Sequence, residues 1–249
     1  MGYETVETEV NNGVHWVRLN RPDRLNALNE QLGTDLLDAL KEGESSPEAK
    51  CLVISGAGRA FSVGEDLGAC VGTYGSGGPM LLGETFAQKY NPIVQRIRRM
   101  DKPVVAAVNG VTAGAGLGLA LACDLRAASD TATFHEAFID VGTAFESGPS
   151  FWLTRILGSA RAKEAGVLGQ TIDARMALGL GLVNWVFQDN MLRGEVTKIA
   201  ERLTKGPTRT VALTKKKLDR AVVVGPDSAL EYEVHLQDLV KIMKNKSNV

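Results

Sequence analysis

The apolar positions open with two short, half-alternating stretches at residues 3–10 and 13–19, which predict two strands. The intervening Asn11-Asn12-Gly13 is typical of a tight hairpin turn. Asn29 is expected to cap the helix that follows. The apolar face of that helix comprises Leu32, Leu36, Leu37 and Leu40. The chain therefore begins as a hairpin followed by an amphipathic helix.

Two later runs, 51–54 and 103–108, are apolar throughout, which predicts strands that are covered on both faces. Each run ends in turn-forming residues, at 55–58 and at 109–110. A helical stretch at 119–123 and a further strand-like stretch at 124–128 then repeat the order of strand, turn, helix and strand. This recurrence indicates an α/β fold with helices on both faces of a sheet.

The rest of the chain is predicted to be mostly helical. Residues 68–80 are rich in glycine and have no apolar period, which predicts a mobile surface loop, and a helix is expected from 82 to 99. From about residue 150 the pattern changes to successive helices. Three amphipathic helices are expected to close the chain, at 190–204, 208–222 and 227–245. We expect this apolar terminal region to pack on its own core and on another subunit.

Composition excludes several classes of protein. The 249 residues are 44% hydrophobic and 23% charged, as in a globular protein, and the net charge of -1 predicts no attraction to nucleic acid or to an acidic membrane. Cys51, Cys70 and Cys123 are widely spaced, which favours reduced thiols over a disulfide or zinc site. Only three histidines are present, so no metal site is expected. Without a signal peptide or a long apolar run, the expected location is the cytoplasm.

The candidate chemistry lies in two glycine-containing turns, at residues 60–67 and 109–119. Glycine permits unusual φ values and close approach of the backbone, so that amide N–H groups can point into a cavity. At the start of a helix, unpaired N–H groups and the helix dipole favour a negative charge. Two such turns that converge on one oxygen would form an oxyanion hole.

Two other interpretations of these turns remain. Such turns often serve close packing alone. A dinucleotide site is a second alternative, but the spacing is Gly114-x-Gly116-x-Gly118 and not G-x-G-x-x-G. In addition, no acidic residue ends a following strand at the distance of ~20 residues that such sites need. The nucleotide interpretation is therefore weak.

Four ordered segments, 19–28, 55–67, 102–126 and 178–186, resemble the crotonase (enoyl-CoA hydratase/isomerase) superfamily along nearly the full length of the chain. The resemblance implies an α/β fold with a crotonase-like spiral of ββα units over residues 1–190. It also implies a helical C-terminal oligomerisation region over residues 191–249, which forms homotrimers or dimers of trimers. The implied ligand is an acyl-CoA thioester, and no cofactor is expected besides the coenzyme A of the substrate.

The resemblance also implies roles for individual residues. The amides of Glu65 and Ala115 correspond to the two donors that hold the thioester oxygen. Contacts with the coenzyme A or acyl part of the substrate fall on Arg24, Asn26, Ala27, Ala60, Ser62, Val63, Gly64, Asp66, Leu67, Gly114 and Phe138. Arg24 would pair with a phosphate, although a solvated surface charge is an equal alternative. Asp66 is more readily interpreted as a turn-stabilising acid.

The choice of reaction depends on the carboxylates. A hydratase needs two of them, for the α and β carbons, but by the resemblance Gly118 and Phe138 occupy the two positions. Glu146 instead falls where some enoyl-CoA isomerases and ring-epoxide acyl-CoA isomerases keep an acid, although Phe145 replaces the proline usual there. The alternative is that Glu146 is only an acid in the first turn of a helix. Glu136 or Asp140 would then be the base.

One carboxylate is enough for isomerisation, because the same base takes a proton from C2 and returns it to C4. In an apolar acyl pocket its pKa should be raised, which suits a proton shuttle near neutral pH. The expected function is therefore a 3-enoyl-CoA to 2-enoyl-CoA isomerase. The alternatives are a hydratase, hydrolase or other lyase with a different base, and a non-catalytic CoA-binding assembly subunit.

Overall fold

A computed structural model describes residues 2–66, 87–140, 142, 144, 145 and 147–246, the last eight of them by backbone alone. The strands are β1 Val6–Asn11, β2 Val14–Leu19, β3 Cys51–Gly56, β4 Ala60–Ser62, β5 Val104–Val108, β6 Val111–Ala113, β7 Leu125–Ser129, β8 Thr133–His135, β9 Thr171–Asp173 and β10 Trp185–Phe187. The helices are α1 Glu30–Ser45, α2 Asn91–Arg99, α3 Ala115–Ala122, α4 Pro149–Ile156, α5 Gly158–Leu168, α6 Ala174–Gly179, α7 Leu192–Thr204, α8 Thr208–Ala221 and α9 Pro226–Lys246.

The described strands form two sheets, and the chain alternates between them. The larger sheet has the order β1-β2-β3-β5-β7-β10 and the smaller has the order β4-β6-β8-β9. Three times the chain passes from a strand of the large sheet to a strand of the small one, as β3–β4, β5–β6 and β7–β8. The result is the spiral of ββα units that the resemblance implies. Asn109 joins two of the corners, because its Oδ1 accepts from the Gly56 amide at 2.8 Å and its Nδ2 donates to the Gly58 carbonyl at 2.9 Å.

Side chains on the two faces of the large sheet enter different cores. On β3, Leu52 and Ile54 belong to the cluster beneath α1, α2 and α3, whereas Cys51 and Val53 face the cluster that α7 covers. Both faces of β3 are therefore buried, as its uniform apolar sequence predicts. Each fully buried Leu or Ile stabilises the fold by about 1.5–3 kcal/mol. Burial also raises the pKa of the Cys51 and Cys123 thiols to about 12, which suits the predicted role as core-filling thiols.

Ion pairs attach α8 to the core. The Lys215 ammonium lies 2.9 Å from Asp124 Oδ2 and also donates to the Ile97 carbonyl at 3.0 Å. Arg98 pairs with Asp219 of the same helix. Asp124 in turn accepts from the Val104 amide at 2.8 Å, so the contact reaches the start of β5.

Several sequence-based predictions are confirmed. The hairpin turn has φ values of 50° at Asn12 and 80° at Gly13, as a primed turn requires. The Asn29 side chain caps α1 by accepting from the Leu32 amide at 2.9 Å. The three closing helices lie within a few residues of their predicted bounds. The boundary at residue 191 stays a prediction, although α7 itself packs on the large sheet.

Other predictions were wrong or incomplete. The region after residue 150 is not purely helical, because β9 and β10 lie within it. The helix expected from residue 119 begins at Ala115, directly after Gly114. Several strands were missed because segments of three residues are too short to show a period. The predicted loop at 68–80, Cys70 and the start of the helix expected from residue 82 lie outside the described residues.

None of the helices in the described part of the chain is long and apolar enough to cross a membrane.

His15 on β2 is an unusual core residue. Its side chain is 1% exposed, and neither ring nitrogen has a hydrogen-bond partner within the described part of the chain. Burial lowers the pKa of His15, with a smaller contribution of the same sign from Lys102 and an opposing one from Glu42. The fold therefore holds this imidazole neutral.

Replacement His15→Leu should reduce the loss of stability in acid. The unfolded imidazole titrates near pH 6.5, so the contribution of His15 to stability is complete above about pH 6.5 and falls below it, by at most about 1.4 kcal/mol per pH unit. The difference in slope between the wild type and His15→Leu separates this contribution from those of other groups. Urea unfolding between about pH 5 and 7.5 measures this slope. His235→Gln, at an exposed position of α9, is the control and should keep the wild-type slope. Equal slopes in the wild type and His15→Leu would contradict the prediction.

Candidate active site

The first turn is bonded to the segment that precedes α1. The Leu28 amide donates to the Gly64 carbonyl at 2.7 Å, and the Asp66 amide donates to the Leu28 carbonyl at 2.9 Å. Leu28 and Glu65 thus form a single parallel bridge. In such a bridge the middle residue directs its own N–H and C=O away from the partner strand. The Glu65 amide therefore faces the side of the turn away from Leu28.

An ion pair braces the residue that follows Glu65. Arg21 Nη2 lies 2.9 Å from Asp66 Oδ2, and Arg21 Nη1 donates to the Ala27 carbonyl at 2.5 Å. The two side chains are only 17% and 13% exposed, so solvent screens the pair weakly. The contacts agree with the interpretation of Asp66 as a turn-stabilising acid. Sequence reasoning missed Arg21 as its partner, and no pattern within either segment joins the two.

Asn26 and Ser62 are buried braces of the same turn. Asn26 Nδ2 donates to the carbonyls of Ala57 and Ala60, at 2.9 and 2.8 Å. Ser62 Oγ donates to the Asn26 carbonyl at 2.8 Å and accepts from the Gly64 amide at 3.3 Å. Both side chains are fully buried and bonded within the protein. A contact with substrate from either residue would therefore have to come from its backbone.

The second turn leads directly into α3. Gly114 has φ 51° and ψ −127°, and its carbonyl accepts from the amides of Leu117 and Gly118 at 3.0 and 3.1 Å. The Gly114 amide donates to the His135 carbonyl of β8 at 3.2 Å. The Ala115 amide has no acceptor within the described part of the chain. This N–H is the first of α3, where the dipole of the helix is positive.

The two turns touch through their backbones. A Cβ atom at Gly64, where φ is +86°, would lie 2.9 Å from both the Ala113 carbonyl oxygen and the Ala115 nitrogen. A Cβ atom at Gly114 would lie 3.9 Å from the Gly64 Cα. The peptides that carry the two expected oxyanion donors are therefore neighbours, and at position 64 only a residue without a side chain allows this approach.

Phe138 lies beside this junction. Its ring would be 3.8 Å from a Cβ atom at Gly114, and it packs edge-on against Phe145 with ring centroids 5.8 Å apart. The Phe138 side chain is only 7% exposed. The expected acyl-contacting residue therefore adjoins the expected oxyanion turn.

Gly118 is enclosed by the segment that follows Phe145. A Cβ atom at Gly118 would lie 2.9 Å from the Ser147 carbonyl oxygen and 3.0 Å from the Ser147 Cβ. Because backbone occupies this space, a carboxylate at position 118 would require the segment around Ser147 to move. The position that the resemblance assigns to one of the two hydratase acids is therefore closed in this chain.

Of the remaining expected residues, Glu146 and Leu67 lie outside the described residues. Arg24 is exposed on a single 3-10 turn, Pro22–Arg24, where a phosphate group could reach it. Ala27 and Ala60 are buried and Val63 is half-buried.

The two alternative acids differ in their surroundings. Asp140 is exposed and its Oδ2 lies 2.6 Å from His135 Nε2 at the surface. Glu136 is 2% exposed, and neither of its carboxylate oxygens has a hydrogen-bond partner in the described part of the chain. Burial raises the pKa of Glu136 to about 8, so this group is mostly protonated at neutral pH. A neutral, enclosed acid is poorly suited to remove a proton.

Among the described residues, no group of three or more His, Cys, Asp or Glu side chains could hold a metal ion.

Comparisons with known proteins identify the family of this chain. The family model described as Enoyl-CoA hydratase/isomerase matches residues 9–246. A 1,2-epoxyphenylacetyl-CoA isomerase of Escherichia coli is 35% identical over 95% of this chain and 90% of its own length. A 4-chlorobenzoyl coenzyme A dehalogenase of an Arthrobacter species is 34% identical over 92% of this chain and 83% of its own length.

A solved structure shares the fold. The crystal structure of an enoyl-CoA hydratase from Mycobacterium avium subsp. paratuberculosis has a TM-score of 0.80 and 33% identity, covering 96% of this chain and 94% of its own. The fold and the family match together define a crotonase-like acyl-CoA-binding enzyme. The chain belongs to the enoyl-CoA hydratase/isomerase family.

Replacement Gly64→Ala should separate the two turns. The new methyl group would overlap Ala113 and Ala115 at a positive φ, which costs more than about 1 kcal/mol of stability. The rate of C2 proton exchange in an acyl-CoA should fall by about 100-fold or more, as for loss of an oxyanion donor. Gly179→Ala is the control, because a Cβ atom there meets nothing within 4 Å. Exchange at the wild-type rate in a folded Gly64→Ala protein would contradict the assignment.

Proposed function

We propose that this enzyme is an enoyl-CoA isomerase that moves a double bond from the 3- to the 2-position. The observation that carries the proposal is the backbone contact between the turns at Gly64 and Gly114, next to an Ala115 amide without an acceptor in the described part of the chain. Donors placed in this way stabilise the negative oxygen that forms when a proton leaves C2 of a thioester.

The residues around this point favour isomerisation over hydration. Gly118 and Phe138 stand where the resemblance puts the two hydratase acids, and the space beside Gly118 is filled by Ser147. Glu146 is the proposed base, which takes the C2 proton and returns it to C4. The 35% identical relative is named as a 1,2-epoxyphenylacetyl-CoA isomerase, which supports isomerisation of an acyl-CoA as the class of reaction. The relatives named as hydratase and dehalogenase keep the other acyl-CoA reactions as outcomes of the test.

Replacement Glu146→Gln should lower isomerisation by at least about 100-fold, because the amide cannot accept the C2 proton. The affinity for acyl-CoA should stay within a few-fold of the wild-type value, since the charged phosphates of the coenzyme A part are far from C2. Product analysis with 3-enoyl- and 2-enoyl-CoA substrates measures the reaction, and equilibrium binding of a saturated acyl-CoA measures affinity.

Asp140→Asn provides the matched control for Glu146→Gln, because it makes the same acid-to-amide change at a surface position. It should retain the wild-type rate. If Glu146→Gln keeps the rate within a few-fold, a different group is the base. If neither 3-enoyl- nor 2-enoyl-CoA is converted and no C2 deuterium exchange occurs, the chain is a binding subunit without this activity.

We also infer that the chain assembles as a homotrimer or a dimer of trimers through its C-terminal helices. Large apolar side chains of α8 and α9 are exposed in the single chain, among them Leu218 at 65%, Leu230 at 61% and Val234 at 65%. Leu230 and Val234 are four residues apart and share one face of α9. Such a surface on a folded chain is typical of a subunit contact.

The double replacement Leu230→Asp with Val234→Asp should shift the protein to monomer, because a subunit contact would bury the new charges. Sedimentation velocity gives the mass of the assembly. Val10→Asp is the control, at a position of β1 that is 42% exposed, and should leave the assembly unchanged. A wild-type chain that sediments as a monomer would rule out the inferred assembly.

A further inference from the structure

Glu136 lies beside the second turn, directly after β8. β6 and β8 pair in parallel with Ala113 opposite His135, and the Gly114 amide donates to the His135 carbonyl. This register makes Glu136 the lateral neighbour of Gly114. From the spacing of adjacent strands and the length of a glutamate side chain, its carboxyl group lies within roughly 11 Å of the Ala115 amide.

The carboxyl group is isolated from solvent and from other polar groups. Its side chain is 2% exposed, and both oxygens are buried without a hydrogen-bond partner in the described part of the chain. An ionised carboxylate without partners is costly in such a place, so the group remains protonated at neutral pH. The pKa of about 8 that burial gives Glu136 agrees with this expectation.

Charged groups on the neighbouring elements do not offset the charge of an ionised Glu136. β6 and α3 carry no titratable side chain. Asp173 of β9 and Arg175 of α6 are exposed, and His135 and Asp140 pair with each other at the surface. Among the described residues, no charged group shifts the pKa of Glu136, for which burial is the cause. Its ionisation therefore adds an unbalanced negative charge to the interior.

We propose that Glu136 is a positioning residue that acts through its charge. Its neutral carboxyl group permits negative charge at the oxyanion turn, whereas its carboxylate opposes that negative charge. This inference rests on the step of enolate formation proposed above. In that step the C2 proton passes to the base, the C–H electron pair forms the C1–C2 double bond, and the carbonyl π pair moves to the thioester oxygen. Glu65, the acid on the first turn, is half-buried and nearer to solvent, which screens its charge.

The size of the effect follows from Coulomb's law. Two unit charges about 10 Å apart, at the effective dielectric constant of about 20 that applies to such sites, repel enough to change an equilibrium roughly tenfold. Enolate formation should therefore slow by about that factor when Glu136 ionises. A residue that only fills space would leave no such dependence on pH.

The test is the pH dependence of C2 deuterium exchange in a saturated acyl-CoA. After subtraction of the uncatalysed rate, exchange by the wild-type enzyme should fall roughly tenfold as the pH rises through about 8. Glu136→Gln and Glu136→Met, which carry no charge at any pH, should show no such fall. Glu164→Gln, which removes an acid from the surface of α5, should keep the wild-type profile.

A measurement on the unmodified enzyme keeps the proposal testable if both variants fail to fold. The infrared C=O band of a protonated carboxyl group should disappear with the same pH midpoint as exchange activity. Different pH midpoints for the infrared band and for exchange would overturn the role of Glu136 alone. The same conclusion would follow if exchange by a folded Glu136→Gln protein still fell as in the wild type. Absence of exchange at every pH would overturn it together with the enolate on which it depends.

Discussion

The contact between two main-chain turns is the constraint on which the site depends. A single methyl group at position 64 would reach within 2.9 Å of the Ala115 nitrogen, so the approach requires that the first turn carry no side chain at this position. Backbone amides cannot be repositioned by choosing another rotamer, and the fold must therefore place them. The spiral does this by bringing β4 and β6 side by side in the small sheet, so that the turns after them meet.

Much of the surrounding sequence keeps these turns in place. Asn26, Ser62 and the Arg21–Asp66 pair tie the first turn to the segment before α1, while Asn109 ties together the corners from which the small-sheet strands begin. These side chains satisfy buried backbone groups, which would be costly to leave unpaired. The polar side chains beside the first turn thus hold its geometry through bonds within the protein.

The sequence predicted the parts of the structure that repeat a pattern. The hairpin, α1 with its Asn29 cap, the buried strands β3 and β5 and the closing helices follow from apolar periodicity and turn chemistry. The three-residue strands β4, β6, β8, β9 and β10 were missed, because their identity comes from pairing with distant segments. For the same reason the sequence identified Asp66 but not its partner Arg21, and it did not distinguish the buried Glu136 from the exposed Asp140.

The packing of Ser147 against Gly118 limits how this protein can change its chemistry. An acid introduced at position 118 of α3 by a single codon change would place its Cβ atom 2.9 Å from the Ser147 carbonyl oxygen. The resemblance implies that hydration needs an acid at this position, so a route towards water addition would first have to move the main chain at Ser147. In this chain the shape of the main chain at Ser147 therefore decides which side chains α3 can carry at position 118.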